Sequence, residues 1–190
     1  MMPAMDRLSS NLRYILWKQG LDRKEWPEKL AGWLGCDLRR AEDLLEGEAD
    51  GLRPEEKKGL AHVAGVESED LQSADLIARD HVDALVANIG YLVGSLPHGG
   101  QRKLADELRV DVTTVSRWRT GDQRPARTKL KGICRHFGLP PGTDLESEPV
   151  FLSLYPVGNA EMKKWLHERI DHLGPDALRH LFHALRRLLK

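Results

Sequence analysis

Apolar residues recur along this chain at intervals of three and four, and the strict alternation of a half-buried strand is hard to find. The pattern predicts an all-α protein. His81 to Ser95 reads as a helix with Leu85, Ile89, Leu92 and Val93 on one face, broken by PHGG at Pro97–Gly100. Gln101 to Leu108 reads as a short second helix, and Val112 to Thr120 as a third. Beyond a short apolar connector, FLSLYP at Phe151–Pro156, two more helices are predicted, Ala160–Leu173 and Pro175–Leu189, parted by Gly174.

The pattern also repeats. NLRYIL at 11–16 matches NIGYLV at 88–93, an offset of 77. Leu30, Ala31, Leu34 and Gly47 map onto Leu104, Ala105, Leu108 and Gly121 at an offset of 74. KGLAHVAGV at 58–66 matches KGICRHFGL at 131–139 at 73. Three blocks in one order point to tandem duplication. The expected division is 1–74, 75–150 and a tail, 151–190, with the connector able to lie over the second copy.

Charge then separates the copies. The whole chain of 190 residues is formally neutral, with 29 Lys/Arg and 29 Asp/Glu. Residues 1–74 carry eleven Lys/Arg against fifteen Asp/Glu, whereas Gly99–Gly138 carries ten against four. A neutral total argues against a protein that grips nucleic acid with its whole surface, so any such grip must be local. Two cysteines, Cys36 and Cys134, make no disulfide framework and no paired metal spacing. No run approaches the roughly 18 apolar residues of a membrane span, and the first residues lack a secretory signal's basic-plus-apolar pattern, so a cytoplasmic protein without membrane contact is expected.

In the basic copy, Leu104, Ala105 and Leu108 face inward from the helix Gln101–Leu108, Ala105 being small where another helix crosses. Arg109-Val110-Asp111 forms a tight turn, Val110 apolar and Asp111 placed as N-cap. Val115 and Trp118 of the next helix point into the core, which leaves Thr113, Thr114, Ser116, Arg117 and Arg119 on other faces. This is a helix, a tight turn and a helix rich in groups that bond bases and phosphates.

QRKLADELRVDVTTVSRWRTGDQRP, followed by LKGICRHFGLP, resembles the XRE (lambda-repressor-like) family of helix-turn-helix transcriptional regulators. The likeness rests on Gln101, the Leu104-Ala105 pair, Val115-Ser116-Arg117-Trp118, Gly121 and Pro125. It departs at Arg109, where the family often has glycine in a left-handed conformation, at a cost of about 1 kcal/mol. The resemblance implies two such domains in tandem plus a C-terminal two-helix segment. It also implies double-stranded DNA as partner, with Val112, Thr113 and Arg117 facing bases. There an arginine grips guanine bidentately, and Val112 or a Thr methyl touches a thymine methyl. Gln101 and Arg102, at the start of the second helix, and Arg119, Arg124, Arg127 and Lys129 around the following loop are expected on the sugar-phosphate backbone.

Copy one has LAGWLGCDLRRAEDLLEGE in the equivalent place, presenting Leu38, Arg39 and Asp43. Glu42, Glu46, Glu48 and Asp50 crowd its exit, and Pro27 replaces Gln101. Phosphates repel such a surface, so a structural, dimerising or protein-binding role is expected for residues 1–74. Direct DNA contact through Arg23, Lys24, Arg39 and Arg40 is the alternative. Trp17, Trp26 and Trp33 read as core. In the tail, Trp165, Leu166 and Ile170 line one helix and Leu178, Leu181, Phe182, Leu185 and Leu188 the other. A hairpin so apolar either packs on the repeats or pairs with a second copy, and a homodimer is favoured. His180 and His183 stand three apart on a helix, but nothing completes a metal site, and no metal, cofactor or catalytic constellation is expected. The reading is a sequence-specific repressor acting as a dimer on a palindromic operator through helix 112–120. The alternative is a helical interaction or antitoxin-like module in which DNA binding is secondary.

Overall fold

In a computed structural model, which describes residues 6–67 and 69–188, about 66% of the chain is helical, and no strand occurs among those residues. In chain order the helices are α1 (Arg7–Lys18), α2 (Trp26–Leu34), α3 (Leu38–Glu46), α4 (Pro54–Ala64), α5 (Asp70–Ser73), α6 (Leu76–Arg79) and α7 (Ala84–Gly94). They continue with α8 (Gly100–Leu108), α9 (Val112–Thr120), α10 (Arg127–Phe137), α11 (Asn159–Ile170) and α12 (Pro175–Leu188). Leu189 of the sequence-predicted last helix lies outside the described residues.

By contact the chain forms two compact units: residues up to Ile89 with Asp144–Leu154, and Gly90–Thr143 with Tyr155 onward. This division follows packing, whereas the one at 74/75 and 150/151 follows sequence likeness. In the first unit, α1 is central, packed against α2, α3, α5, α6 and a 3₁₀ turn at Val150–Leu152. Its apolar stripe of Leu8, Leu12, Ile15 and Leu16 is fully buried, together with Trp26, Leu30, Leu44, Leu45 and Leu60 from α2, α3 and α4. Of the three tryptophans read as core, Trp26 is buried, while Trp17 and Trp33 are half-buried.

The connector 151–156, read as able to lie over the second copy, does bond Asn88 of that copy, but its buried part, Phe151–Ser153, also packs in the first unit with α1. The Phe151 ring lies 4.7 Å from Trp17, and the Arg23 guanidinium donates to the Phe151 carbonyl at 2.6 Å. The physical reason is Asn88, a fully buried polar side chain of α7 that must be satisfied. Its Nδ2 donates to the carbonyls of Leu145 (2.8 Å) and Glu148 (2.7 Å), and its Oδ1 accepts from the Phe151 N–H (2.9 Å). Asn11 of α1 does the same for the segment after α4. It donates to Leu71 (3.0 Å) and Ala74 (2.8 Å) and accepts from Leu76 (3.3 Å).

Other elements recur in the same way. α2 and α8 each have nine residues, as do α3 and α9, while α4 and α10 each have eleven. α2 ends on Gly35 at φ 65° and α8 on Arg109 at φ 52°, both left-handed. Asp37 and Asp111 are the extended N-caps of the helices that follow. Gly59 lies so close under α2 that an added Cβ would stand 2.6 Å from the Trp33 carbonyl oxygen. Gly132, at the same place in α10, faces the Leu108 side chain.

Candidate nucleic-acid interface

The second unit holds α8, α9 and α10, with α8 packed on both of the others. α8 buries Leu104, Ala105 and Leu108 and turns Arg102, Lys103, Asp106 and Glu107 to solvent. The turn closes with the Val110 N–H on the Ala105 carbonyl at 3.0 Å. Arg109 takes the left-handed conformation, φ 52° and ψ 56°, as the missing glycine required. For an L-residue this costs about 1–2 kcal/mol.

α9 buries Val115 and Trp118, three residues apart on one side. The Trp118 indole N–H, fully enclosed, makes no hydrogen bond. Val112 (41% exposed), Thr113, Arg117 and Arg119 face solvent, while Thr114 and Ser116 are half-buried. Thr113 and Arg117, four apart, share one face of the helix. Asp111 caps α9 by its carbonyl, which accepts from Thr114 N–H at 2.9 Å; its side chain makes no cap bond. At the other end Thr120 Oγ1 pairs with Asp122 at 2.6 Å, and Gly121 stops the helix in a left-handed conformation.

Gln101 is tied to this helix, its Nε2 donating to the Val112 carbonyl at 3.3 Å. Arg102, Arg117, Arg119 and Arg127 are exposed, and their guanidinium groups form no ion pair or hydrogen bond among the described residues. Arg124 is exposed too. Lys129 behaves differently from the expectation of a backbone contact: half-buried, it donates to the Leu108 carbonyl at 2.6 Å, satisfying the end of α8. A second link between α8 and α10, Glu107 with His136 Nδ1 at 2.5 Å, was not foreseen either. Both join residues more than twenty positions apart, which no local pattern announces.

Residues 101–143 match the family model described as Helix-turn-helix. The matched segment, α8 to α10 and the residues just after, is similar to a helix-turn-helix, in keeping with the arrangement of its helices. That model describes a DNA-binding fold, and the likeness suggests DNA binding for this segment. Comparisons with curated proteins and with solved structures returned no match. Among the described residues, no helix is long and apolar enough to cross a membrane.

The face of α3 in the first unit is partly closed by bonds within the protein. Leu38 (46% exposed) and Arg39 stand outward on α3, and Asp43 is half-buried. Arg40 folds back instead: its Nη2 donates to the Gly51 carbonyl at 2.5 Å and lies 3.3 Å from Glu56 Oε2. Glu56 is 2% exposed and also accepts from the Arg53 N–H at 2.7 Å, capping α4. Burial by itself pushes its carboxyl up. The bonds from Arg40 and the Arg53 N–H, with both guanidinium charges, outweigh that and hold it below the usual carboxylate range. Of the four cations weighed as DNA contacts here, Arg40 and Arg23 are thus engaged within the protein. Lys129, 73 positions on from Glu56 and likewise the third residue of its helix, is a cation.

Each described side chain of α11 and α12 is exposed or half-exposed. Trp165, Leu166, Leu178, Phe182, Leu185 and Leu188 are the exposed large apolar ones, with Phe182 60% and Leu188 81% open, while Ile170 and Leu181 are half-buried.

Proposed function

We propose that the chain is a sequence-specific DNA-binding transcription regulator, a cytoplasmic repressor that acts as a homodimer on a palindromic operator through α9. The observation that carries this is the open Thr113–Arg117 face, placed opposite the buried Val115 and Trp118 in a helix-turn-helix. Arg117, without an internal partner, is available to guanine O6 and N7, and Val112 and Thr113 to a thymine methyl. Gln101, Arg102, Arg119, Arg124 and Arg127 border that face and supply phosphate contacts, with Thr114 and Ser116 at its margin. Lys129 serves by holding α8 against α10.

Residues 1–74 are, on this reading, a degenerate second copy. The matched helix lengths, left-handed turns and paired asparagines support common ancestry, and the Arg40–Glu56 closure supports the loss of DNA contact. Its acidic α3 with Leu38 exposed suits a protein partner better than a phosphate-lined groove. The hairpin of α11 and α12 supplies the dimer contact, and a twofold dimer sets two α9 helices about one DNA turn, roughly 34 Å, apart.

Selecting bound duplexes from a random pool tests the reading directly. A palindromic motif is expected, and Arg117→Ala should weaken binding to it by about 1–3 kcal/mol while relaxing one base pair of preference. No enrichment, or a double Thr113→Ala/Arg117→Ala variant that binds unchanged, would refute it.

A further inference from the structure

Arg109 carries a conformational cost with no full return inside the protein. Its equivalent in the first unit is Gly35, which adopts the left-handed turn without a Cβ penalty. Arg109 holds the same conformation as an exposed side chain that makes no hydrogen bond or ion pair among the described residues. A cation at a helix C-terminus interacts favourably with the helix dipole, but that place at α8 is already taken by the Lys129 ammonium on the Leu108 carbonyl. At an exposed site that attraction is worth about 0.3–1 kcal/mol, at most the lower end of the roughly 1–2 kcal/mol conformational cost.

Position accounts for the arginine. Arg109 precedes Val112, the first residue of α9, by three residues, so their Cα atoms are at most about 11 Å apart. A flexible guanidinium at that distance from a helix N-terminus lying in a groove reaches the sugar-phosphate wall beside it. Backbone outliers kept against their cost cluster where they contact ligands. We propose that Arg109 is a phosphate contact flanking the recognition helix, one that adds affinity without sequence preference and holds the turn in a less favourable conformation than glycine would. This rests on the reading of α9 as the DNA-contacting helix.

The test uses the full chain and two fluorescein-labelled duplexes, one selected from the random pool and one of unrelated sequence. Arg109→Gly should unfold no more easily than wild type on heating, yet bind both duplexes more weakly. The slope of log K against log salt should shrink by about 0.9. The deficit against wild type should accordingly narrow about threefold as salt rises from about 50 to about 200 mM. Arg109→Lys should recover most of the binding, because a phosphate accepts either cation. An Arg109→Gly protein with wild-type affinity and slope overturns the inference. If Arg117→Ala still relaxes sequence preference in that case, the DNA reading stands and only the role of Arg109 falls. If both variants bind as wild type, both readings fall.

Discussion

Replacing Asn88 by alanine should release the segment 144–154 and cost a large part of the first unit's stability. The side chain is 0% exposed and makes three hydrogen bonds of 2.7–2.9 Å, all to backbone groups of that segment. Alanine leaves the Leu145 and Glu148 carbonyls and the Phe151 N–H without their partner. A buried group so orphaned costs about 1–3 kcal/mol. Glu148 is exposed and rewets, so a total of about 3–5 kcal/mol is expected rather than the full sum. Against the 5–15 kcal/mol of a typical domain this is a severe loss. With an m-value of about 1–3 kcal/mol/M, urea denaturation should show a midpoint lower by about 1 M or more. Amide exchange at Phe151 should speed up selectively. Asn88→Asp should be no better at neutral pH, because a carboxylate cannot donate to two carbonyls, and should improve as acid protonates it. Asn11→Ala should behave alike, with Leu71, Ala74 and Leu76 in place of the three groups. A loss below about 1 kcal/mol, with Phe151 exchange unchanged, would refute the reasoning that a buried amide holds the segment.

Glu56 gives a pH dependence. Its carboxyl is held below the usual carboxylate range, so its contribution is present above about pH 4.3 and is lost as pH falls through the depressed value. Acid titration of stability should therefore be flatter in Glu56→Gln, and an identical profile would contradict the ion-pair account. Gly59→Ala should destabilise by about 1–2 kcal/mol after the helix-propensity gain, because the obstacle is the backbone oxygen of Trp33. Gly132→Ala, opposed only by the flexible end of Leu108, should be nearly neutral in thermal unfolding; equal losses would refute the distinction. On α11 and α12, six partly open apolar side chains offer about 5–9 kcal/mol of burial per copy at half the full-burial value. Over two copies this is about 10–18 kcal/mol, which exceeds all but the upper end of an association cost of about 4–15 kcal/mol. Sedimentation should show Phe182→Asp/Leu185→Asp as a monomer and the parent as a dimer; equal masses would exclude the hairpin as the contact.

The helices of the interface were legible because their cause is local. Apolar spacing alone brings Leu104, Ala105, Leu108, Val115 and Trp118 to one side and leaves Thr113 and Arg117 on the other. The left-handed turn at Arg109 was expected only through the resemblance, which places a left-handed glycine there, and the structure gives Arg109 that conformation. Lys129 shows the limit. Its charge predicted a phosphate contact, but the Leu108 carbonyl, 21 residues away, claims it in the fold. The segment 144–154 shows it again, because an apolar run states that it will be buried but not against what. Only the closed fold decided that Asn88 holds it, packed against α1, and that elsewhere in the first unit Glu56 binds Arg40. The sequence by itself determined the periodic and turn-forming elements, whose energies arise between near neighbours. The tertiary structure decided which polar and charged groups remain free for a ligand, because buried partners are chosen by contacts between residues far apart in the chain.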